Sequence, residues 1–191
     1  MDSKKELWKL LYKNSFLYDP QKGFKLSSGG HSDVVYFDCK KTTLTSQGML
    51  LVGQLFWEEI KGTLAEGVGG LSLGADPIVC ATMMYAAREG KEISGFLVRK
   101  EPKKYGTQRW IEGLIKKGMK VVIVDDVVTT GSSVIKAIYK TEEAGLEVIK
   151  VITLIDREEG GKTVIEGKGY EYIPLFTRSD FIKLKEKFYK E

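Results

Sequence analysis

The sequence predicts an α/β protein, a parallel sheet flanked by helices, folded as a single domain over residues 1–191. Three observations lead there. Apolar runs rich in β-branched residues, such as Val121 to Val124 and Val148 to Ile155, alternate with stretches of helical periodicity. Glycines gather where apolar runs end, at Gly69-Gly70, Gly74, Gly131 and Gly160-Gly161, as expected of loops that approach a ligand closely. The length of 191 residues suits one domain of ~150 residues with a small appendage.

The elements follow in order. Lys4 to Lys13 places Leu7, Leu10 and Leu11 on one helical face, and Val34 to Asp38 reads as a short strand. A helix follows Thr45 or Ser46 as N-cap, with Met49, Leu50, Val52, Leu55 and Phe56 apolar. We divide the chain there, into an N-terminal hood over 1–45 and a core over 46–191. Leu64 to Val68 predicts a strand, then a glycine-rich loop, then a helix opening at Asp76-Pro77 with the aspartate as cap. Ile93 to Val98 is the next strand, and Val121 to Val124 is one buried on both faces. Ser132 to Ala144 is helical and stops at Gly145, and Val148 to Ile155 is again a buried strand. Tyr170 to Pro174 reads as an edge strand because proline ends it, and Ser179 or Asp180 caps a terminal amphipathic helix.

Composition narrows the class. Apolar residues make up 42% and charged residues 29%, which excludes a disordered chain. Charge interrupts every apolar run long before the ~20 residues of a membrane span, and Met1 to Asn14 lacks the order of a secretion signal. Two cysteines, Cys39 and Cys80, do not make a disulfide framework and read as buried or inert thiols. A cytoplasmic protein is expected. The net charge of +4 is mild for a nucleic-acid binder. Basic residues concentrate instead in one window, Arg99 to Gly106, with Arg109 just beyond.

The most informative stretch is Val121 to Ser133, VVIVDDVVTTGSS. Thr129, Thr130, Gly131, Ser132 and Ser133 offer successive N–H groups and hydroxyls at a helix N-terminus, a site for a phosphate dianion. Asp125 and Asp126, at the expected strand tip, are placed to accept hydrogen bonds from a sugar diol or to hold a divalent cation through water. A phosphate cradle beside a diol acceptor points to a phosphorylated ribose. Neither G-x-x-x-x-G-K-[ST] nor G-x-G-x-x-G occurs at this strand.

This stretch resembles the motif of the type I phosphoribosyltransferases, which use 5-phosphoribosyl 1-diphosphate (PRPP) and Mg²⁺. Three further segments are similar to those of the orotate phosphoribosyltransferases: Phe24 to Gly29 with Ser32 and Tyr36-Phe37-Asp38, Phe96 to Thr107 with Ile111-Glu112-Gly113, and Asp156-Arg157-Glu158-Glu159-Gly160-Gly161. Together they span most of Phe24 to Gly161. The resemblance implies the type I phosphoribosyltransferase fold, transfer of phosphoribosyl from PRPP to orotate, and Mg²⁺ as cofactor.

It also implies roles. Val127 and Val128 with Thr129 to Ser133 would line the PRPP site, Asp125 and Asp126 would act on the ribose, and Thr129 and Arg157 would hold orotate. A lid over about 99–113 would bring Arg99, Lys100, Lys103 and Tyr105 to the diphosphate. In related enzymes that lid closes over the neighbouring subunit's site and carries the lysine that matters most, here Lys103, so a homodimer is implied. Tyr105 stands where the family usually has histidine. Ser27 and Gly74 stand where many relatives have lysine, and the only histidine, His31, reads as a loop residue. Two other readings suit the same residues: a phosphoribosyltransferase for another base such as a purine, and a PRPP-sensing regulator without turnover.

Overall fold

The structure is a computed structural model that describes residues 2–19, 24–25, 31–32, 35–102 and 110–188. It opens with α1 (Ser3–Asn14), whose cap Asp2 accepts from the Lys4 and Lys5 N–H groups. Short strands follow: β1 (Phe16–Tyr18), β2 (Phe24–Lys25), β3 (His31–Ser32) and β4 (Val35–Phe37). β1 pairs with β4 and β2 with β3, both antiparallel. Then come α2 (Lys40–Thr43) and α3 (Ser46–Ile60), the latter capped by the Thr45 hydroxyl, which accepts from Gly48 N–H.

The rest is the predicted alternation: β5 (Gly67–Leu71), α4 (Asp76–Arg88), β6 (Ser94–Val98), β7 (Ile111–Gly113), β8 (Lys120–Val128), α5 (Ser132–Glu143), β9 (Glu147–Asp156), α6 (Gly161–Glu166), β10 (Tyr172–Thr177) and α7 (Arg178–Phe188). Six strands form one sheet in the order β10-β9-β8-β5-β6-β7, parallel except for β7. Alternate residues of β8 enter different cores, as a strand buried on both faces must. Val122 and Val124 pack with Leu11, Phe56, Ile78 and Phe181, whereas Val121 and Ile123 pack with Val134, Ile138 and Ile165. The strand order reverses between the parallel neighbours β5 and β8 at the middle of the sheet, and ligands of open α/β sheets bind beside such a switch point.

Several boundaries differ from expectation, each for a tertiary reason. The strand expected over Leu64 to Val68 lies three residues later, and Gly69-Gly70 are inside it rather than in a loop. A Cβ on Gly69 would sit 2.5 Å from Phe96, and one on Gly70 would sit 2.0 Å from the Val124 carbonyl, so close strand packing requires both glycines. β8 does not end at the acids but runs through Asp125 and Asp126 to Val128. Ala75, not Asp76, is at the cap position of α4, and Asp76 in the first turn accepts from the Ser72 hydroxyl. Pro174 lies within β10, tolerated because that strand is the sheet edge. Thr177 caps α7 in a reciprocal box: Asp180 accepts from Thr177 N–H, and Thr177 Oγ1 accepts from Asp180 N–H. Ile111 to Gly113, expected in the lid, pair with β6, and His31, expected in a loop, pairs with Lys25 in β3. Cys39 is buried but Cys80 is exposed.

Candidate functional site

The turn between β8 and α5 is built by glycines. Gly131 adopts φ +83° at the cap position of α5, and no side chain caps that helix. Its first-turn N–H groups are therefore left to an outside acceptor, the arrangement that binds anions at helix N-termini. Thr130 and Ser132 share a hydroxyl contact of 3.3 Å at the mouth, and Ser133 is exposed beside them. Val128 is buried under the turn and Val127 is half-buried. The turn rests on a second one: Gly161 N–H donates to the Thr129 carbonyl at 3.0 Å, with Gly160 at φ +93°.

Asp125 and Asp126 are both buried in β8. Asp125 Oδ1 accepts from Asp126 N–H at 2.9 Å. Burial, and then the neighbouring charge of Asp126, hold the Asp125 carboxyl well above the usual carboxylate range. Gly74 is pressed against the pair, since a Cβ there would lie 2.5 Å from Oδ1 of each acid. Any side chain at position 74 would have to displace the loop or the carboxylates. The cation beside the acids comes instead from α2, where Lys40 Nζ stands 2.9 Å from Asp126 Oδ2. Asp126 raises the Lys40 pKa by charge and hydrogen bond, against the lowering from partial burial.

Among the described residues no three acids, histidines or cysteines converge as a full metal cage. Two carboxylates directed at one glycine suit Mg²⁺, which keeps several waters and binds through one or two carboxylates and substrate phosphates.

Ser72 and Leu73 line a cleft of ≈ 360 Å³ together with Arg99, Lys100 and Glu101. The loop before α4 and the basic segment after β6 thus share one hollow. Arg99 also pairs with Glu112 of β7 at 3.4 Å, and the Lys100 carbonyl accepts from Lys136 Nζ at 2.7 Å while its own side chain is exposed. Lys103, Tyr105 and Arg109, and likewise Ser27, lie outside the described residues.

Arg157 follows β9 directly, and its N–H donates to the Val128 carbonyl at 2.9 Å. Its side chain is buried and ion-paired with Glu159 at 2.7 Å, with a longer bond of 3.4 Å to the Val35 carbonyl. Arg157 therefore joins β4, β9 and the end of β8 at one place, next to the turn that begins at Thr129.

A family model described as a phosphoribosyl transferase domain matches residues 84–169. An orotate phosphoribosyltransferase of Aquifex aeolicus is 42% identical over 182 residues, 95% of this chain and 99% of that one. The chain belongs to the orotate phosphoribosyltransferase family. A further family member, from Corynebacterium glutamicum, is 44% identical over 155 residues, 81% of this chain and 82% of the relative. Orotate phosphoribosyltransferase from Mycobacterium tuberculosis in complex with PRPP superposes with a TM-score of 0.78 at 32% identity, covering 94% of this chain and 98% of that one. An adenine phosphoribosyltransferase from Leishmania tarentolae, at 16% identity, shares the fold alone, with a TM-score of 0.59.

The structure brings together Asp125, Asp126, Val127, Val128, Thr129 to Ser133 and Arg157 through β8, β9 and the connections that follow them. Sequence reasoning missed Lys40 and Glu159. A charged helix start among many lysines carries no local signal, and Glu159 sits in a motif read for its arginine and glycines.

Proposed function

We propose that this protein transfers the phosphoribosyl group of PRPP to orotate, giving orotidine 5′-monophosphate and diphosphate in pyrimidine biosynthesis. The observation that carries it is the uncapped start of α5 at Gly131, three residues beyond the end of β8, whose last turn-ward stretch holds the two buried aspartates Asp125 and Asp126. The phosphate of PRPP suits that helix start and its ribose hydroxyls suit the carboxylates. Membership of the family supplies the base.

Bond formation joins a ring nitrogen of orotate to ribose C1 as the bond from C1 to the diphosphate oxygen breaks. Positive charge grows on the sugar and negative charge on the leaving group. Arg99 and Lys100 beside Ser72 and Leu73, with Lys103 beyond them, would stabilise that leaving group, and fixed donors of this kind contribute factors of about 10²–10³. Mg²⁺, held through Asp125 or Asp126 by way of water, would neutralise diphosphate charge. Orotate is already a nitrogen acid, so no strong general base is demanded. Thr129 and Arg157 would hold the base, the guanidinium by a bidentate contact with its carboxylate. We further propose a homodimer in which Lys103 serves the neighbouring subunit, in the cytoplasm.

The test is loss of orotate absorbance with PRPP and Mg²⁺, run beside adenine, hypoxanthine and uracil. Turnover with orotate alone is expected and should stop on chelation of the metal. Turnover with a purine, or PRPP binding without any turnover, would replace this reading.

A further inference from the structure

The acid pair is gripped from the N-terminal segment. Asp126 is held at two points by consecutive residues 86 or more positions away in sequence: the Cys39 thiol donates to its backbone carbonyl at 3.9 Å, and Lys40 Nζ meets its Oδ2 at 2.9 Å. Its N–H is occupied by Asp125 Oδ1, and its Oδ1 faces Gly74. Every polar atom of Asp126 is thereby directed, and among the described residues Lys40 is the only lysine or arginine in ion-pair reach of either acid. Lys40 is itself 44% exposed, so the pair it makes with Asp126 lies at the edge of the site and not in the core.

We propose that Lys40 is a positioning residue for PRPP: it fixes the Asp126 carboxylate toward the ribose diol and offsets acid charge that would otherwise repel a polyanionic substrate. The second effect follows from Coulomb's law in a partly buried site, where screening is weak. The first follows from the geometry, since a carboxylate released from Lys40 regains side-chain freedom before it can accept from a diol. This inference rests on the reading of Asp126 as a ribose acceptor.

The experiment is a double-mutant cycle of PRPP binding with Mg²⁺ by calorimetry, without acceptor, on the full chain carrying Lys40→Met, Asp126→Asn or both. A charge-assisted hydrogen bond of this kind corresponds to a weakening of about tenfold or more for Lys40→Met. The double variant should bind no more weakly than Asp126→Asn alone, because Lys40 acts through Asp126. Lys40→Arg should recover most of the loss. In steady state, Lys40→Met should raise KM for PRPP and leave KM for orotate within about twofold of wild type, a split that general loosening of the fold does not produce. Additive effects in the cycle, or unchanged PRPP binding by Lys40→Met, overturn the role of Lys40 and leave the site reading intact. A wild-type protein that does not bind PRPP overturns both.

Discussion

Gly161 lies directly beneath Val128: a Cβ on the glycine would sit 2.2 Å from Val128 Cγ1 and 2.8 Å from the Thr129 carbonyl that its own N–H supports. The second glycine of the Asp156 to Gly161 segment therefore shapes the turn between β8 and α5 from below.

Gly161→Val forces Val128 or the turn to move. PRPP affinity should fall at least about tenfold, with a loss of stability of roughly 1–3 kcal/mol typical of overpacking. Gly160→Ala, with open space around it but φ +93°, should lower stability through backbone strain and affect PRPP less. Thermal melts beside PRPP titrations separate the two.

Gly74→Ala places a methyl group where 2.5 Å separates it from both acids. The loop or the carboxylates must shift, so kcat/KM for PRPP should drop by about 10² or more, given the cost of misplacing reacting groups by an ångström. Wild-type turnover by this variant would show that the loop does not approach the acids as described.

Asp125→Asn separates stability from activity. The folded-state pKa of Asp125 is raised by burial and by Asp126, so the folded protein holds a proton that the unfolded chain releases. Stability is then lost as pH climbs from the ordinary carboxylate range, ~3.9, toward the raised value. The asparagine variant escapes that loss and keeps an acceptor for Asp126 N–H. It should be more stable than wild type at pH 7, equal to it near pH 3, and much less active. Melts across pH 3–8 check the crossover.

Arg157→Lys keeps the charge but loses the planar fork. KM for orotate should rise about tenfold or more while PRPP affinity changes little. Equal losses for both substrates would remove Arg157 from the acceptor site.

Lys103→Ala should lower kcat by about 10²–10³ if Lys103 stabilises the departing diphosphate. Mixing it with an Asp125→Asn protein tests the shared site: hybrid dimers should regain activity only where Lys103 serves the neighbouring subunit.

The sequence by itself determined the alternating fold, the buried central strand and the glycine turn that opens α5. Those features are local: β-branched runs, helical periodicity and a Thr-Thr-Gly-Ser-Ser turn express their hydrogen bonding within a few residues. It also marked Asp125, Asp126 and Arg157. Only the tertiary structure decided that Gly69 and Gly70 belong to a strand, because the reason is the nearness of Phe96 and of the Val124 carbonyl. It alone placed Gly161 under Val128, Glu159 on Arg157 and Lys40 on Asp126. Lys40 and Asp126 are 86 residues apart, and nothing in the local pattern of either predicts the other. Their meeting depends on how α2 packs against the end of β8, and long-range packing sets such a contact where periodicity cannot.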